Sequence, residues 1–362
     1  MKPLELYIHI PFCKKKCNYC DFLSAPADRR ERAAYVESLC QKIRSFRELA
    51  EAYCVATIFV GGGTPSILSV WQMGQIFRAV KETFWLEDSA EITIEVNPGT
   101  VNADKLTAYK GMGINRLSIG LQSTDDRELA ALGRIHTYGQ FLETYSMARA
   151  AGFQNINIDL MSAIPHQTRE SYEKTLRRTA GLAPEHISAY SLIIEEGTPF
   201  YEKYREGKNA SDLPDEDTER RMYEDTRRIL KEYGYHRYEI SNYAKEGFEC
   251  RHNLGYWERA EYLGIGTGAA SLIENRRFTE GEEPDILSRE EQMSEYMFLG
   301  LRKIKGVSKS RFREEFGSSM EKIYGNVLED MKKKGLMEEE GDYVRLTERG
   351  IDISNYVMSE FL

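Results

Sequence analysis

Tyr7-Ile8-His9-Ile10-Pro11-Phe12-Cys13-Lys14-Lys15-Lys16-Cys17-Asn18-Tyr19-Cys20-Asp21-Phe22 leads from an apolar, strand-like run into a loop with three cysteines spaced Cys-x3-Cys-x2-Cys. Thiolates are soft ligands that select zinc, copper(I) or iron–sulfur clusters. Structural zinc sites close with four ligands, usually as two separated pairs, and this triplet has no second pair. His9 offers a fourth ligand, but it lies four residues back in the strand-like run, where a histidine can simply face the core. A cubane cluster usually takes four cysteines, so three leave one iron with an open position. Spacing alone leaves both an iron–sulfur cluster and zinc open.

Outward from this loop, the first 195 or so residues repeat one pattern. Short apolar or alternating runs, at Leu6–Ile10, Ala56–Val60, Ile92–Val96, Arg116–Leu121, Ile156–Leu160 and Ile187–Ile193, are separated by charged, helix-like stretches such as Arg29–Ala50, Leu68–Phe84 and Arg169–Leu182. Strands alternating with helices predict right-handed βαβ units and a parallel sheet. Periodicity does not decide between an open doubly wound sheet and a partial barrel. The run ends are polar: Gly61-Gly62-Gly63-Thr64-Pro65 closes the second, Glu95 and Asn97-Pro98 the third and Gln122 the fourth, while Asp159 sits in the fifth. Parallel α/β architectures bind ligands at the carboxyl ends of their strands.

Composition bounds the rest. The chain has 362 residues, 41% hydrophobic and 30% charged, with a formal net charge of −9. A single core usually stops growing at roughly 250–300 residues, so a large domain over 1–205, a connecting segment over 206–287 and a smaller domain over 288–362 are expected. The acidic balance argues against nucleic-acid binding, which needs clustered Lys and Arg, and against purely electrostatic docking on anionic lipid. No apolar run approaches the roughly 20 residues that span a bilayer. The N-terminus lacks a signal peptide's basic and apolar regions. A cytoplasmic protein is expected, reaching a membrane only through a partner. Six cysteines are too few for a disulfide scaffold at this length. Tyr201–Asp217 reads as a linker or excursion, Arg220–Tyr233 as a helix, and 288–362 as mostly helical with a short strand and turn at Tyr343–Gly350. The charge runs Lys332–Lys334 and Glu338–Glu340 read as a solvated helix end and turn. Cys40 and Cys54 read as small core fillers in or after a helix. Gly264-Ile265-Gly266-Thr267-Gly268 has the shape of a dinucleotide fingerprint, but it falls outside the βα series and opens no helix.

Cys-x3-Cys-x2-Cys after the first strand of a βα series, with Tyr19 before the third cysteine and Gly61-Gly62-Gly63-Thr64-Pro65 ending the second run, resembles the radical S-adenosylmethionine superfamily. The resemblance implies a partial (β/α)6 barrel with a smaller, mostly helical, winged-helix-like C-terminal domain. It also implies a [4Fe–4S] cluster on Cys13, Cys17 and Cys20, with S-adenosylmethionine chelating the open iron and its amine near Gly62, Gly63 and Thr64.

Tyr7 to Cys13, Asp159-Leu160 leading to Pro165-His166-Gln167-Thr168, and the end at Leu346-Thr347-Glu348-Arg349-Gly350 narrow the likeness to oxygen-independent coproporphyrinogen III oxidases and the related HemW haem chaperones. That resemblance implies cofactor contacts by Tyr7, Gly62, Glu95, Gln122, Arg134 and Asp159: carboxylates for the ribose hydroxyls, Arg134 for the methionyl carboxylate. Three departures favour the chaperone branch over the decarboxylase. Phe22 stands where the oxidases carry a fourth cysteine, the first strand begins about six residues in, and Arg251-His252-Asn253-Leu254-Gly255-Tyr256-Trp257 matches a His-Asn-x-x-Tyr-Trp motif associated with haem binding. The likeness therefore implies haem ligated by His252, with Cys250 as a rival and Tyr256 and Trp257 as flat apolar walls. It implies transfer to an acceptor apo-haemoprotein, one of the respiratory chain, and it allows a homodimer. A buried, backbone-bonded histidine among core aromatics is the bland alternative for His252. A winged helix also raises DNA binding, which the interleaved acidic residues disfavour.

Overall fold

The computed structural model describes all residues, Met1–Leu362. Six strands, β1 (Lys2–Ile10), β2 (Tyr53–Gly62), β3 (Trp85–Val96), β4 (Arg116–Gln122), β5 (Ile156–Ser162) and β6 (His186–Ser191), pair in parallel in chain order. Helices α1 (Arg29–Ser45), α2 (Arg47–Ala50), α3 (Val70–Thr83), α4 (Ala103–Met112), α5 (Asp126–Ala131), α6 (Tyr138–Ala150) and α7 (Arg169–Gly181) connect them. Side-chain caps fix where several of these helices begin: Asp28 with Glu31, Ser69 with Gln72, and Thr137 with Gln140 each form a reciprocal capping box.

The alternation along each strand decides what this sheet is for. One face carries Leu4, Leu6, Ile8, Val55, Ile58, Val60, Ile92, Ile94, Leu117, Ile119, Ile156 and Ile158, all within one large apolar core. The residues between them are Glu5, Tyr7, His9, Thr57, Phe59, Glu91, Thr93, Glu95, Arg116, Ser118, Asn157, Asp159, His186 and Ser188. Successive side chains point to opposite faces, so the apolar set meets the helices and the polar set lines the other face.

The parallel set does not close on itself. The chain continues through α8 (Pro199–Tyr204), α9 (Glu216–Glu232), β7 (His236–Arg237), β8 (Asn242–Ala244), α10 (Arg251–Trp257), β9 (Tyr262–Ile265), β10 (Ala270–Ile273), β11 (Arg276–Thr279) and β12 (Asp285–Ile286). Strand β9 adds in parallel to the free edge of β1, and β8 adds antiparallel to β6, giving one open sheet of twelve strands. The architecture is thus a partial (β/α)6 barrel with extended edges, one of the two layouts the periodicity allowed. The glycine-rich 264–268 segment ends β9 and turns into β10 without opening a helix.

The C-terminal part packs a second apolar cluster, centred on Phe312, Met320, Met331 and Val357, from α11 (Arg289–Gly300), α12 (Lys309–Phe316), α13 (Met320–Lys333), α14 (Glu348–Asp352) and α15 (Ser354–Ser359). Three short strands, β13 (Val307–Ser308), β14 (Met337–Glu340) and β15 (Tyr343–Leu346), pair in the order β13-β15-β14. Helices followed by a small antiparallel wing match the winged-helix expectation. No helix is long and apolar enough to cross a membrane.

Four local expectations are corrected. The first strand starts at Lys2 rather than six residues in, because Lys2 to Leu4 continue the pairing with Tyr53 to Val55. Tyr201–Asp217 is not a plain linker, since Phe200 and Tyr204 on α8 are buried against Leu132, Met161 and Ile164. Glu338–Glu340 is strand, with Glu338 and Glu340 paired to Arg345. Cys54 lies on β2, while Cys40 is buried on α1 as expected.

Candidate functional site

The cysteine loop is pinned at both ends. An isolated bridge joins Phe12 to Ala25, with Cys13 N donating to Ala25 O at 3.1 Å and Ala25 N to Pro11 O at 3.0 Å. Its middle docks through Asn18, whose backbone N donates to Leu132 O (2.9 Å) and whose Nδ2 donates to Ala131 O (3.0 Å). Gly133 lets that happen, because a Cβ there would stand 2.9 Å from Asn18.

Cys13, Cys17 and Cys20 line one pocket at the carboxyl ends of the strands, with Tyr19, Gly62, Gly63, Thr64, Glu95, Asn97, Ser118, Gly120, Gln122, Arg134 and Asp159. The empty space between these walls, out to open solvent, is about 660 Å³, within the range of small-molecule sites. The sequence therefore singled out residues that the fold brings together. Tyr7 is the exception: it is not among these walls, and its hydroxyl pairs with His9 Nδ1 at 3.0 Å. His9, in turn, bonds Leu23 O at 2.9 Å and is committed to holding the loop rather than to a metal.

The glycines are a matter of space. A Cβ at Gly63 would lie 2.7 Å from Phe12 O and 3.0 Å from Cys13 Sγ, and one at Gly62, where φ is +111°, would lie 2.6 Å from His9. Only bare backbone lets the end of β2 approach the cysteine loop. Gly62 N then donates to Glu95 Oε2 at 3.1 Å.

Charges are stacked in low-dielectric surroundings. Burial, reinforced by the charge of Asp159, pushes the Glu95 carboxyl up to about 8. Burial also raises Asp159, although Asn157 Nδ2 (2.7 Å) and Ser118 Oγ (3.2 Å) donate to it. Arg134 donates through Nη2 to Asn97 Oδ1 (2.7 Å) and Gly120 O (2.6 Å) and points Nη1 at Cys17 Sγ (3.7 Å), while its buried Nε has no partner. Cys13 Sγ receives Thr64 Oγ1 at 3.4 Å. Burial lifts the Cys20 thiol to about 11, with the neighbouring Cys17 and Cys13 adding to it. These thiols gain from a cationic metal centre, and the carboxyls from donor hydroxyls. No three of the chain's Cys, His, Asp or Glu side chains converge closely enough to hold a single metal ion. Three soft thiol donors on one loop, facing a pocket of this size, fit an iron–sulfur cluster.

Residues that went unremarked in the sequence are Ser118, Gly120 and Asn157, while Asn97, noted as a run end, joins the pocket walls. The signal of the unremarked three was the period-two series along the strands, as in Ser118, Gly120 and Gln122 on β4 and Asn157 and Asp159 on β5.

The His252 motif lies elsewhere. It forms α10, which sits against the lower part of β2, toward the amino ends of the strands. His252 is 1% exposed. Its Nδ1 bonds Thr57 Oγ1 at 2.7 Å, its Nε2 is buried without a partner, and its ring stacks on Phe59 and meets Tyr256 edge-on. Burial, then the Arg116 charge, lowers the imidazole to about 3, so it is neutral. Burial raises Glu5 to about 9, so the 3.8 Å Glu5–His252 approach is not an ion pair. A Cβ at Gly255 would fall inside the Glu5 carboxyl. Trp257 faces away from His252, under Arg302. Cys250 is fully buried and donates to Glu91 Oε1 at 3.5 Å.

Comparison with known proteins fits this geometry. The Radical SAM superfamily matches residues 7–179, and the HemN C-terminal domain matches 287–353. Two curated relatives named Heme chaperone HemW, from Lactococcus lactis and Escherichia coli, are 36% and 35% identical, each covering 100% of this chain and 98% and 99% of their own. The chain belongs to the HemW family. In fold it also matches coproporphyrinogen III oxidase (HemN) from Escherichia coli, at a TM-score of 0.86 and 23% identity, over 99% of this chain and 90% of that one. That likeness extends over the barrel and the winged C-terminal part together. The family assignment agrees with the sequence reading that preferred the chaperone branch.

Proposed function

We propose that this protein is a haem chaperone that binds a [4Fe–4S] cluster, S-adenosylmethionine and haem, and passes haem to an acceptor haemoprotein. The single observation that carries the cofactor part is the pocket in which three thiols, a glycine edge and the Glu95, Asp159 and Arg134 side chains face one space. Cys13, Cys17 and Cys20 would hold the cluster. Gly62, Gly63 and Thr64 would border the methionyl amine, Arg134 its carboxylate, and Glu95 and Asp159 the ribose hydroxyls, with Tyr19 and Gln122 completing the walls. Tyr7 then acts at one remove, through His9. When bound, the cluster supplies one electron to the sulfonium. The chain's own residues bind, orient and shield.

For haem, full-length likeness to proteins named for haem transfer carries the reading. His252 is the ligand we assign, because its imidazole is neutral and one nitrogen is free, the form that ligates iron. Its burial means that ligation requires α10 to leave its seat. The acceptor is a haemoprotein of the respiratory chain, met from the cytoplasm.

The test is anaerobic reconstitution. Iron and sulfide should load in equal amounts, S-adenosylmethionine should change the EPR signal of the reduced cluster, and added haem should give a Soret band. Stoichiometric zinc without a cofactor response overturns the cluster reading. Absence of any haem binding overturns the chaperone. Conversion of coproporphyrinogen III under the same conditions would make the protein an oxidase.

A further inference from the structure

Beneath the cofactor pocket, the polar face of the sheet holds a run of hydrogen bonds that the cofactor reading does not use. Asn157 Nδ2 donates to Asp159 Oδ1 at 2.7 Å. Asn157 Oδ1 meets His186 Nδ1 at 2.6 Å. His186 Nε2 meets the Tyr238 hydroxyl at 2.9 Å. The Tyr238 oxygen accepts from Cys250 N, at the foot of α10, at 3.3 Å. Asn157 and His186 are buried, and Tyr238 is only 9% exposed.

The chain has one direction. Asn157 turns its NH2 group toward Asp159 Oδ1 and Ser118 Oγ, 2.7 Å from each, and its oxygen toward His186 Nδ1 and the Ser188 hydroxyl, which donates to it at 3.1 Å. That oxygen requires a proton on His186 Nδ1. Neutral imidazole carries only one ring proton, and burial lowers this ring well below the usual range, so Nε2 is the acceptor. Tyr238 must then give its hydroxyl proton to Nε2 and accept from Cys250 N–H. Every donor in the series points toward Asp159.

We infer that Asn157, His186 and Tyr238 are positioning residues that hold Asp159 facing the cofactor pocket and tie it to the helix burying His252, so that cofactor binding keeps that helix seated. The inference rests on the cofactor reading above. A ligand that binds the oriented Asp159 better than a released one stabilises the whole connected state, and the linkage is reciprocal. A second contact runs in parallel: Glu91, on the strand that carries Glu95, accepts from the backbone N–H groups of Arg251 (3.1 Å) and His252 (3.2 Å). His252 is thus sheathed while the cofactor is bound and accessible after it leaves.

The test has two parts on the full-length protein. Ring ¹⁵N spectra of histidine-labelled protein, with His186 assigned through the His186→Gln variant, should show the Nδ1–H tautomer. The Nε2–H tautomer, the commoner one in water, overturns the chain's direction and the proposal with it. In the cluster-loaded protein, S-adenosylmethionine should slow amide exchange across 251–257 about tenfold. Tyr238→Phe, which keeps the ring and loses the donor, should abolish that slowing while the EPR response to the cofactor persists. Unchanged or faster exchange in the wild type, with an EPR response present, refutes the coupling. No EPR response marks failure of the cofactor reading itself and removes the coupling with it. The tautomer needs no bound cofactor, so a failure of the chain is distinguishable from a failure of the cofactor reading.

Discussion

Glu95→Gln should stabilise the cofactor-free protein while removing its grip on the cofactor. Burial and Asp159 raise the Glu95 carboxyl from 4.5 to about 8. A group with a raised folded value holds more protons folded than unfolded between those two limits, so stability falls as pH rises through that window. At about 1.4 kcal/mol per pH unit, keeping Glu95 protonated from its unfolded value of 4.5 up to pH 7 costs at most ~3.5 kcal/mol, and contact with pocket water reduces this to about 2–3 kcal/mol. Glutamine keeps an oxygen for Gly62 N and turns an amide toward Asp159, which relieves the repulsion without opening a cavity. For a chain of this length 2–3 kcal/mol corresponds to roughly 3–4 °C in Tm. Melting the cluster-free wild type and variant at pH 5 and pH 7 reads this directly. The two should nearly coincide at pH 5 and separate by that amount at pH 7, while S-adenosylmethionine binding by the reconstituted variant drops at least tenfold. Equal melting at both pH values, or a variant less stable at pH 7, refutes the electrostatic account of this site.

Gly63→Ala should load less than a fifth of the wild-type iron with an unchanged far-UV spectrum, since its Cβ would strike Phe12 O and crowd Cys13 Sγ; iron assay of reconstituted protein checks it. Replacing Cys13, Cys17 and Cys20 together by Ser should abolish cluster assembly and the cofactor-dependent EPR change. Gly255→Ala should cost at least 2 kcal/mol, of the order of other overpacked interiors, or unseat α10, because Glu5 occupies the space; denaturant unfolding and haem titration separate the two. His252→Ala should weaken haem binding or shift the Soret band without affecting iron content. His166→Ala, whose side chain is 66% exposed, should do neither.

The convergence of the cysteine triplet and the glycine run was legible because its cause is local: closely spaced thiols share one loop, and three adjacent glycines announce close backbone approach. The strand series was legible for the same reason, through short runs bounded by helical stretches. Three-dimensional convergence was less so. Nothing in the neighbourhood of Asn157 says that it meets His186, 29 residues on, which in turn meets Tyr238, 52 residues beyond that. Treating apolar and alternating runs alike also left their second face unread, where Glu91, Thr93 and Glu95 on β3 and Asn157 and Asp159 on β5 are polar. Tyr256 and Trp257 looked like one flat wall beside His252, but helical geometry turns them apart, and Arg302 takes the Trp257 ring. The wing strand at Glu338–Glu340 was masked by its charges, which pair with Arg345 rather than signalling a turn.

A barrel whose upper lumen is lined by carboxyls, amides and an arginine instead of aliphatic side chains lacks the filling that usually seals such a fold. The cofactors would supply that filling, and ligand that binds only the folded chain stabilises it in proportion to the logarithm of its concentration. The lifetime of this protein in a cell should therefore follow the supply of iron and S-adenosylmethionine, with unfilled copies opening more often and meeting proteases sooner. Pulse proteolysis of cluster-free and fully loaded samples measures that difference directly. Equal survival of the two would mean that the lumen is held open by its walls alone.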